Sequence, residues 1–217
     1  MKSTIPLIKD DYTTMSAIVD KLICHQSKTT IKLGDIGSFI RGLTYSTKEI
    51  TEDKSAITVI RANNLDYGNA VDKEDVVYVT KVPNNNQLLR KGDIVICMAN
   101  GSTALVGKNS YYPYEDRKST IGAFCGIYRT SHPFTKWIMQ SNLYKKMVYQ
   151  SLQGGNGAIA NLNGDDILNM KFPLANLEIS STITHILDTI ENILGINERL
   201  YELYSIQKKH LLRHMFI

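Results

Sequence analysis

Along the last forty-two residues, Asn176 to Ile217, apolar positions recur at alternating three- and four-residue steps. The series Ile183, Ile186, Ile190, Ile193, Asn197, Leu200, Tyr204, Gln207, Leu211, His214 is the heptad pattern of a helix that seams against another helix. No proline interrupts it, and Gly195 lies off the seam. Asn176 is a plausible N-cap. Leu187, Leu194, Tyr201 and Leu212 widen the stripe, so one flank should pack on something besides a partner helix. At ~1.5 Å per residue the helix would be roughly 55 Å long, too long to bury its whole stripe on a small domain. The pattern predicts an arm that pairs with a second copy, with Ile183, Ile186, Ile190, Ile193, Asn197, Leu200, Tyr204 and Leu211 as dimerisation positions.

Upstream the period changes. Residues 1–30 hold one short amphipathic pattern, Met15, Ile18, Val19, Leu22 and Ile23, followed by a linker. From Ile31 short runs alternate with Gly, Asn and Asp turns. IKLGDIGSFIRG reads as a strand or short helix closing on a glycine turn, and ITVIRANNLDYGN as a strand entering a turn. VVYVT, Asp93 to Met98, and IGAFCGIYR (Ile121 to Arg129) read as further strands. PFTKWIMQSNLYKKMVYQ reads as helix, then a glycine-rich loop leads to a short helix from Asp165 and a last strand, MKFPL. The expected architecture is α+β: an N-terminal helix and linker (1–30), an irregular mixed domain (31–175) and a long coiled-coil helix (176–217).

Charge refines this picture. The net charge is +4, and residues 31–175 hold 17 Lys and Arg against 13 Asp and Glu, while the arm is slightly acidic. A basic middle segment favours an anionic partner, nucleic acid before membrane. No run of about 18 apolar residues is present, so no membrane span is expected. The first fifteen residues lack the apolar stretch of a signal peptide. Three scattered cysteines, Cys24, Cys97 and Cys125, fit reduced thiols in a cytoplasmic protein.

Candidate chemistry points to binding rather than catalysis. GGNGAIANLNGDD has the glycines of a phosphate loop without its Gly-Lys-Ser/Thr step. His210 and His214 have the i,i+4 spacing of metal ligands but no third ligand nearby. No nucleophile–base set, helicase motif or amino-methyltransferase motif occurs, so neither a cofactor nor a metal is expected. Strand ends instead carry residues that suit base edges and phosphates: Arg41, Arg61, Asn63 and Asn64, then Asn100, Ser102, Thr103 and Lys108, then Arg117 and Lys118, and Asn156 in the glycine-rich loop. Arginine reads guanine bidentately and asparagine reads adenine, while Ser, Thr and Lys position the backbone. The competing reading of each Asn or Ser is a plain turn former.

Taken together, KLGDIGSFIRG, TVIRANNL, LLRKGDIVICMANGS, VGK, STIGAFCGIYR and GGNGAIANLNGDDILNMKFPL, in this order over most of residues 31–217, resemble the specificity subunit of type I restriction–modification systems. In that family a target-recognition domain precedes a long helix, and a full subunit holds two such units with their helices antiparallel; this chain resembles one half. The resemblance implies a non-catalytic reader of double-stranded DNA that holds methyltransferase subunits and, through them, restriction subunits. One departure is Ala175-Asn176-Leu177-Glu178-Ile179-Ser180, where the family has Pro-Pro-Leu-x-Glu-Gln. Another is the helix ahead of Ile31. The alternatives are a coiled-coil interaction or inhibitor protein with the same fold and no specific DNA binding, or a hydrolase without a recognisable motif.

Overall fold

The structure, a computed structural model, describes residues 17–23, 30–153, 161–173 and 177–215. Two four-stranded sheets and a helical layer make up the body. In chain order they are α1 (residues 17–23), β1 (Thr30–Lys32), α2 (Leu33–Ile36), β2 (Gly37–Arg41), β3 (Ile50–Thr51), β4 (Ile57–Ile60) and β5 (Val77–Val79). Then come β6 (Ile94–Cys97), β7 (Asn109–Tyr111), β8 (Ser119–Ile121), β9 (Cys125–Thr130), α3 (Thr135–Ile138), α4 (Asn142–Gln153), α5 (Gly164–Leu168), β10 (Lys171–Pro173) and α6 (Leu177–Met215).

The central sheet, β2-β9-β6-β7, is antiparallel throughout; the other, β3-β5-β4-β8, carries one parallel pair, β4 with β8. Side chains alternate across a strand, and β6 shows what that achieves here. Ile94 and Ile96 enter the core shared with the helices, whereas Val95 and Cys97 enter the core between the sheets. A strand buried on both faces must be apolar at every position, which is why Ile-Val-Ile-Cys carries no polar residue. Its leading Asp93 is buried too, and is neutralised by Arg129, whose Nε and Nη2 donate to the two carboxylate oxygens at 2.8 and 2.7 Å. β1 and β10 form a separate two-stranded ribbon that ties the start of the body to the segment before α6.

Two sequence expectations are corrected. IGAFCGIYR is not one strand: Ile121 ends β8 in one sheet and Cys125 starts β9 in the other, with a tight turn at Ala123–Phe124 between them. Gly42 lets the neighbouring chain approach this break, since a Cβ at Gly42 would stand 2.1 Å from the Gly122 carbonyl oxygen. The helical stretch after Phe134 is also divided, because Ser141 accepts the Tyr144 N–H at 3.1 Å and caps a new helix. Asp20 of α1 adds a second acceptor at the start of α4, 2.9 Å from the Asn142 N–H. Val19 and Ile23 of α1 lie in the core, while Met15 and the candidate cap Asn176 fall outside the described residues.

The arm is a single 39-residue helix, as the heptads predict. Its first half docks on its own body, as the widened flank with Leu187 and Leu194 predicts, and it draws in Ile183 and Ile190, which the heptads assign to the dimer seam. Leu187 and Ser180 are buried, and Ile183, Ile190 and Leu194 pack on the helical core. Lys136 of α3 pairs with Asp188 and Glu191. From Ile196 to Leu212 the large apolar side chains are exposed.

Candidate nucleic-acid interface

Strands β4 and β8 run parallel with Thr58 opposite Ser119 and Ile60 opposite Ile121. Their C-terminal ends deliver Arg61 and Gly122 to the same edge of the body. The Gly122 N–H donates to the Ile60 carbonyl at 2.9 Å, and Leu43 bridges to Gly122. The loop after β6, carrying Ala99, Asn100 and Gly101, completes an open cleft of about 760 Å³ with Thr44, Tyr45, Arg61, Asn63 and Phe124. A second cleft of about 300 Å³ adjoins it, lined by Phe39, Arg41, Asn161 and Asn163 and sharing Ala99, Ala123, Phe124 and Cys125 with the first.

The candidates therefore separate by position. Arg61, Asn63 and Asn100 line the first cleft, and Arg41 lines the second. Ser102 and Thr103 are exposed just beyond Asn100, whose Oδ1 accepts the Ser102 N–H at 3.0 Å. Lys108 is half-buried ahead of β7. Arg117 and Lys118 are exposed but precede β8, so they sit at the opposite end of the β4–β8 pair from Arg61. Asn64 is spent structurally: it is 2% exposed, its Oδ1 accepts the Arg61 N–H at 2.9 Å, and its Nδ2 donates to the Asp75 carbonyl at 3.0 Å. Those bonds fix the turn and remove Asn64 from any solvent-facing set. Asn156 lies outside the described residues.

Asp75 gathers this turn. Its carboxylate accepts from Asn63 Nδ2 at 2.8 Å and from Arg61 Nη2 at 3.4 Å, and its carbonyl accepts from Arg61 Nη2 at 3.2 Å. Arg61 and Asn63 are thereby pre-aimed before any ligand arrives, while Arg61 Nε is buried without a partner among the described residues. Sequence reasoning missed Asp75, Phe124 and Asn161. The last is brought beside the clefts by a bridge to Ala99, a pairing that no local pattern reveals.

A second polar cluster lies at the Lys118 end. Burial alone would raise the Asp116 carboxyl, but hydrogen bonds from Lys73 and Tyr112, the Lys118 N–H and Ser119 hold it down at about 2. Lys73 also stacks over Tyr114, 4.2 Å from the ring centre. The aromatic run Tyr111, Tyr112, Tyr114 is thus anchored into this knot and the sheet rather than displayed for stacking: Tyr112 is fully buried and Tyr114 donates to the Val71 carbonyl.

The polar side chains of these clefts are Thr44, Tyr45, Arg61, Asn63 and Asn100 in the first and Arg41, Asn161 and Asn163 in the second. No group of three or more His, Cys, Asp or Glu able to hold a metal occurs among the described residues. His210 and His214 stack edge to face on the arm with ring centres 4.3 Å apart. Burial pushes the Cys125 thiol up to about 12 and raises Cys97 as well, away from the nucleophilic thiolate form. Among the described residues no helix is long and apolar enough to cross a membrane.

On the arm, the dimerisation candidates fall on two columns. Ile183 and Ile190 are turned to the body and are partly used there. Ile186 and Ile193 remain about half exposed, at 53% and 52%, and continue into exposed Asn197, Leu200, Tyr204 and Leu211. The free seam therefore begins one column outside the packed one. The arm packs on the helical core, whereas Ala62 and Cys125 of the first cleft belong to the core between the sheets.

Comparison with known proteins agrees with this architecture. Residues 26–203 match the family model described as type I restriction modification DNA specificity domain. The StySPI specificity subunit of a type I restriction enzyme from Salmonella potsdam is 29% identical over 170 residues, covering 74% of this chain and 35% of that one. The EcoKI specificity subunit from Escherichia coli strain K12 is 30% identical over 164 residues, covering 71% and 34%. Among solved structures, a chain from a study of type I R-M complex assembly superposes with a TM-score of 0.68 at 15% identity, over 95% of this chain and 50% of that one. The HsdS subunit from Thermoanaerobacter tengcongensis gives 0.61 at 14% identity, over 91% and 48%. The chain thus spans about a third of the curated relatives it matches and about half of the solved chains. With a single body, a single arm and a family match over most of its length, the chain belongs to the family of type I restriction modification DNA specificity domains.

Proposed function

We propose that this chain reads one half-site of double-stranded DNA for a type I restriction–modification complex and performs no chemistry itself. The observation that carries the reading is the convergence of Arg61, Asn63 and Asn100 on one open cleft, with Arg41 on the next, in a chain of this family. Arginine and asparagine are the side chains suited to guanine and adenine edges in the major groove. Asp75 holds two of them in place, so little side-chain ordering is left for the binding step. Ser102, Thr103, Lys108, Arg117 and Lys118 act on the backbone in this scheme, and Asn156 joins from the glycine-rich loop. The exposed column Ile186, Ile193, Leu200, Tyr204 and Leu211 pairs with a second copy. The paired helices then carry methyltransferase subunits, and through them restriction subunits, in the cytoplasm.

The test is co-purification with candidate methyltransferase subunits, followed by methylation mapping on genomic DNA. Expected is a complex that methylates one defined sequence, with the isolated chain binding DNA in a salt-dependent way. Methyl transfer or cleavage by the purified chain with S-adenosylmethionine, magnesium and ATP would end the adaptor reading. Absence of DNA binding in every assembly would end the reader.

A further inference from the structure

The two clefts share Ala99, Ala123, Phe124 and Cys125, and Phe124 carries the one aromatic ring among them. Phe124 is 71% exposed, and it is the one exposed large hydrophobic side chain among the residues lining either cleft. Its backbone is not free to tuck the ring away. The Phe124 carbonyl accepts the N–H groups of Met98 at 2.8 Å and Ala99 at 3.3 Å, and the Cys125 N–H closes the turn on the Gly122 carbonyl at 2.9 Å. Gly122 and Ala123, the preceding residues, are too small to shield it. The fold therefore holds a phenyl ring out in water on a rigid turn that joins its two sheets.

The surroundings say what such a ring can meet. A protein partner calls for a large contiguous exposed apolar patch, but Leu43, Met98, Cys125 and Leu162 beside Phe124 are buried and Phe39 and Tyr45 half-buried, while Arg61, Asn63 and Asn100 line the first cleft and Arg41 and Asn161 the second. An exposed apolar knob beside these hydrogen-bonding side chains complements a surface where a methyl sits among donors and acceptors. The major groove is such a surface at thymine, whose C5-methyl adjoins the O4 acceptor and the neighbouring base edges. Arg41, which makes no ion pair among the described residues, and Arg61, shared with Asp75, supply positive charge that suits DNA.

We infer that Phe124 is a specificity-determining residue that reads a thymine methyl group in the half-site. This rests on the proposed DNA-reading face and adds a base preference that Arg and Asn cannot supply.

The experiment uses the full chain in whichever assembly binds, and the consensus duplex that selection from random DNA yields. Each thymine is replaced in turn by deoxyuridine, which removes the methyl alone. One replacement in the half-site should weaken binding about fourfold, the effect of exposing one buried methyl. In Phe124→Ala that replacement should have no effect, while the other positions keep their ratios; Phe124→Leu should restore part of it. Thermal melting checks that Phe124→Ala is folded, and the leucine variant carries the test if it is not. Equal thymine-to-uracil ratios in wild type and variant overturn the inference, as does a wild type indifferent to every replacement. So does a Phe124→Ala protein that binds DNA normally but no longer retains methyltransferase subunits. A wild type that fails to bind DNA at all strikes the underlying reading instead, and is a separate result.

Discussion

The indole N–H of Trp137 donates to the Asp188 carboxylate at 3.0 Å, a bond between residues 51 apart that joins the body to the arm. Lys136 reinforces it with Asp188 at 3.5 Å and with Glu191. Since Trp137 is buried, this contact fixes how the arm leaves the domain, and with it the direction in which the clefts face. Asp188→Ala strands a buried donor, which costs ~1–3 kcal/mol. Calorimetry should show a melting temperature lower by roughly 2–4 °C per kcal/mol. An unchanged melting curve would mean that the arm is oriented by apolar packing alone.

Arg61 and Lys118 should behave differently in binding assays because they sit at opposite ends of β4 and β8. Arg61→Ala should cost ~1–3 kcal/mol at one base position and relax the choice there. Lys118→Ala, losing a phosphate contact, should weaken all sequences alike and lower the salt slope by roughly one. Competition against single-base variants at several salt concentrations separates the two. If Arg61→Ala weakens every sequence equally, Arg61 meets phosphate rather than a base.

How far the chain could be read in advance depended on whether the signal was local. The 39-residue helix was legible because heptads repeat within the segment itself. Strand β6 was legible because burial on both faces leaves an unbroken apolar run. IGAFCGIYR was not, since a turn with no proline or asparagine looks like strand when only neighbours are seen; its break is imposed by Gly42 and by Met98 and Ala99, all distant in sequence. The candidate site suffered likewise. Asparagines at strand ends looked alike, yet Asn64 is buried in the turn while Asn63 faces the cleft. Asp75, which holds them, is 11 residues from one and 12 from the other, too far for a pattern to join them.

Asp116 gives the body an acid limit. With its folded-state value at about 2, below the ordinary value near 3.9, its contribution to stability is complete above about pH 4. That contribution falls as pH drops through that window and is gone below about pH 2. Urea titrations at pH 5, 4, 3 and 2 should show a decline that is shallower in Asp116→Asn than in wild type. Parallel declines would place the acid sensitivity in other carboxylates.

The two columns of the arm make opposite predictions. Leu187 belongs to the body's core, so Leu187→Ala should cost ~2–5 kcal/mol of folding stability. Ile186 and Ile193 are half exposed in the single chain, so Ile186→Asp with Ile193→Asp should leave the body's melting nearly unchanged and dissociate the pair. Light scattering at micromolar concentration reads the outcome. A wild-type monomer in moderate salt would refute the dimer, and a double variant that stays dimeric would move the seam elsewhere. Asn197→Leu, removing the polar seam position, should raise stability while admitting other registers.

If two copies pair through these arms about a two-fold axis, they present identical reading faces in opposite orientation. DNA strands are antiparallel, so the preferred target should be an interrupted palindrome: a short specified block, an unspecified spacer and the inverted repeat. The first halves of the arms are docked on their bodies, so the spacing is set by the free portion beyond Leu194 and by the Trp137–Asp188 anchor. A rigid two-fold reader places half-sites about one helical turn apart, roughly 10 bp centre to centre, since both faces must meet the same side of the duplex. Adding five base pairs to the spacer turns one half-site through about half a turn, and affinity should collapse; adding about ten restores the facing and leaves only the extra distance to be spanned. Deleting or inserting seven residues in the free portion keeps the seam in phase and should shift the preferred spacer without altering the half-site sequence. Selection from random DNA decides it. An asymmetric consensus would show that the arm pairs with a different half-subunit, and a continuous site with no spacer would sink the two-domain geometry.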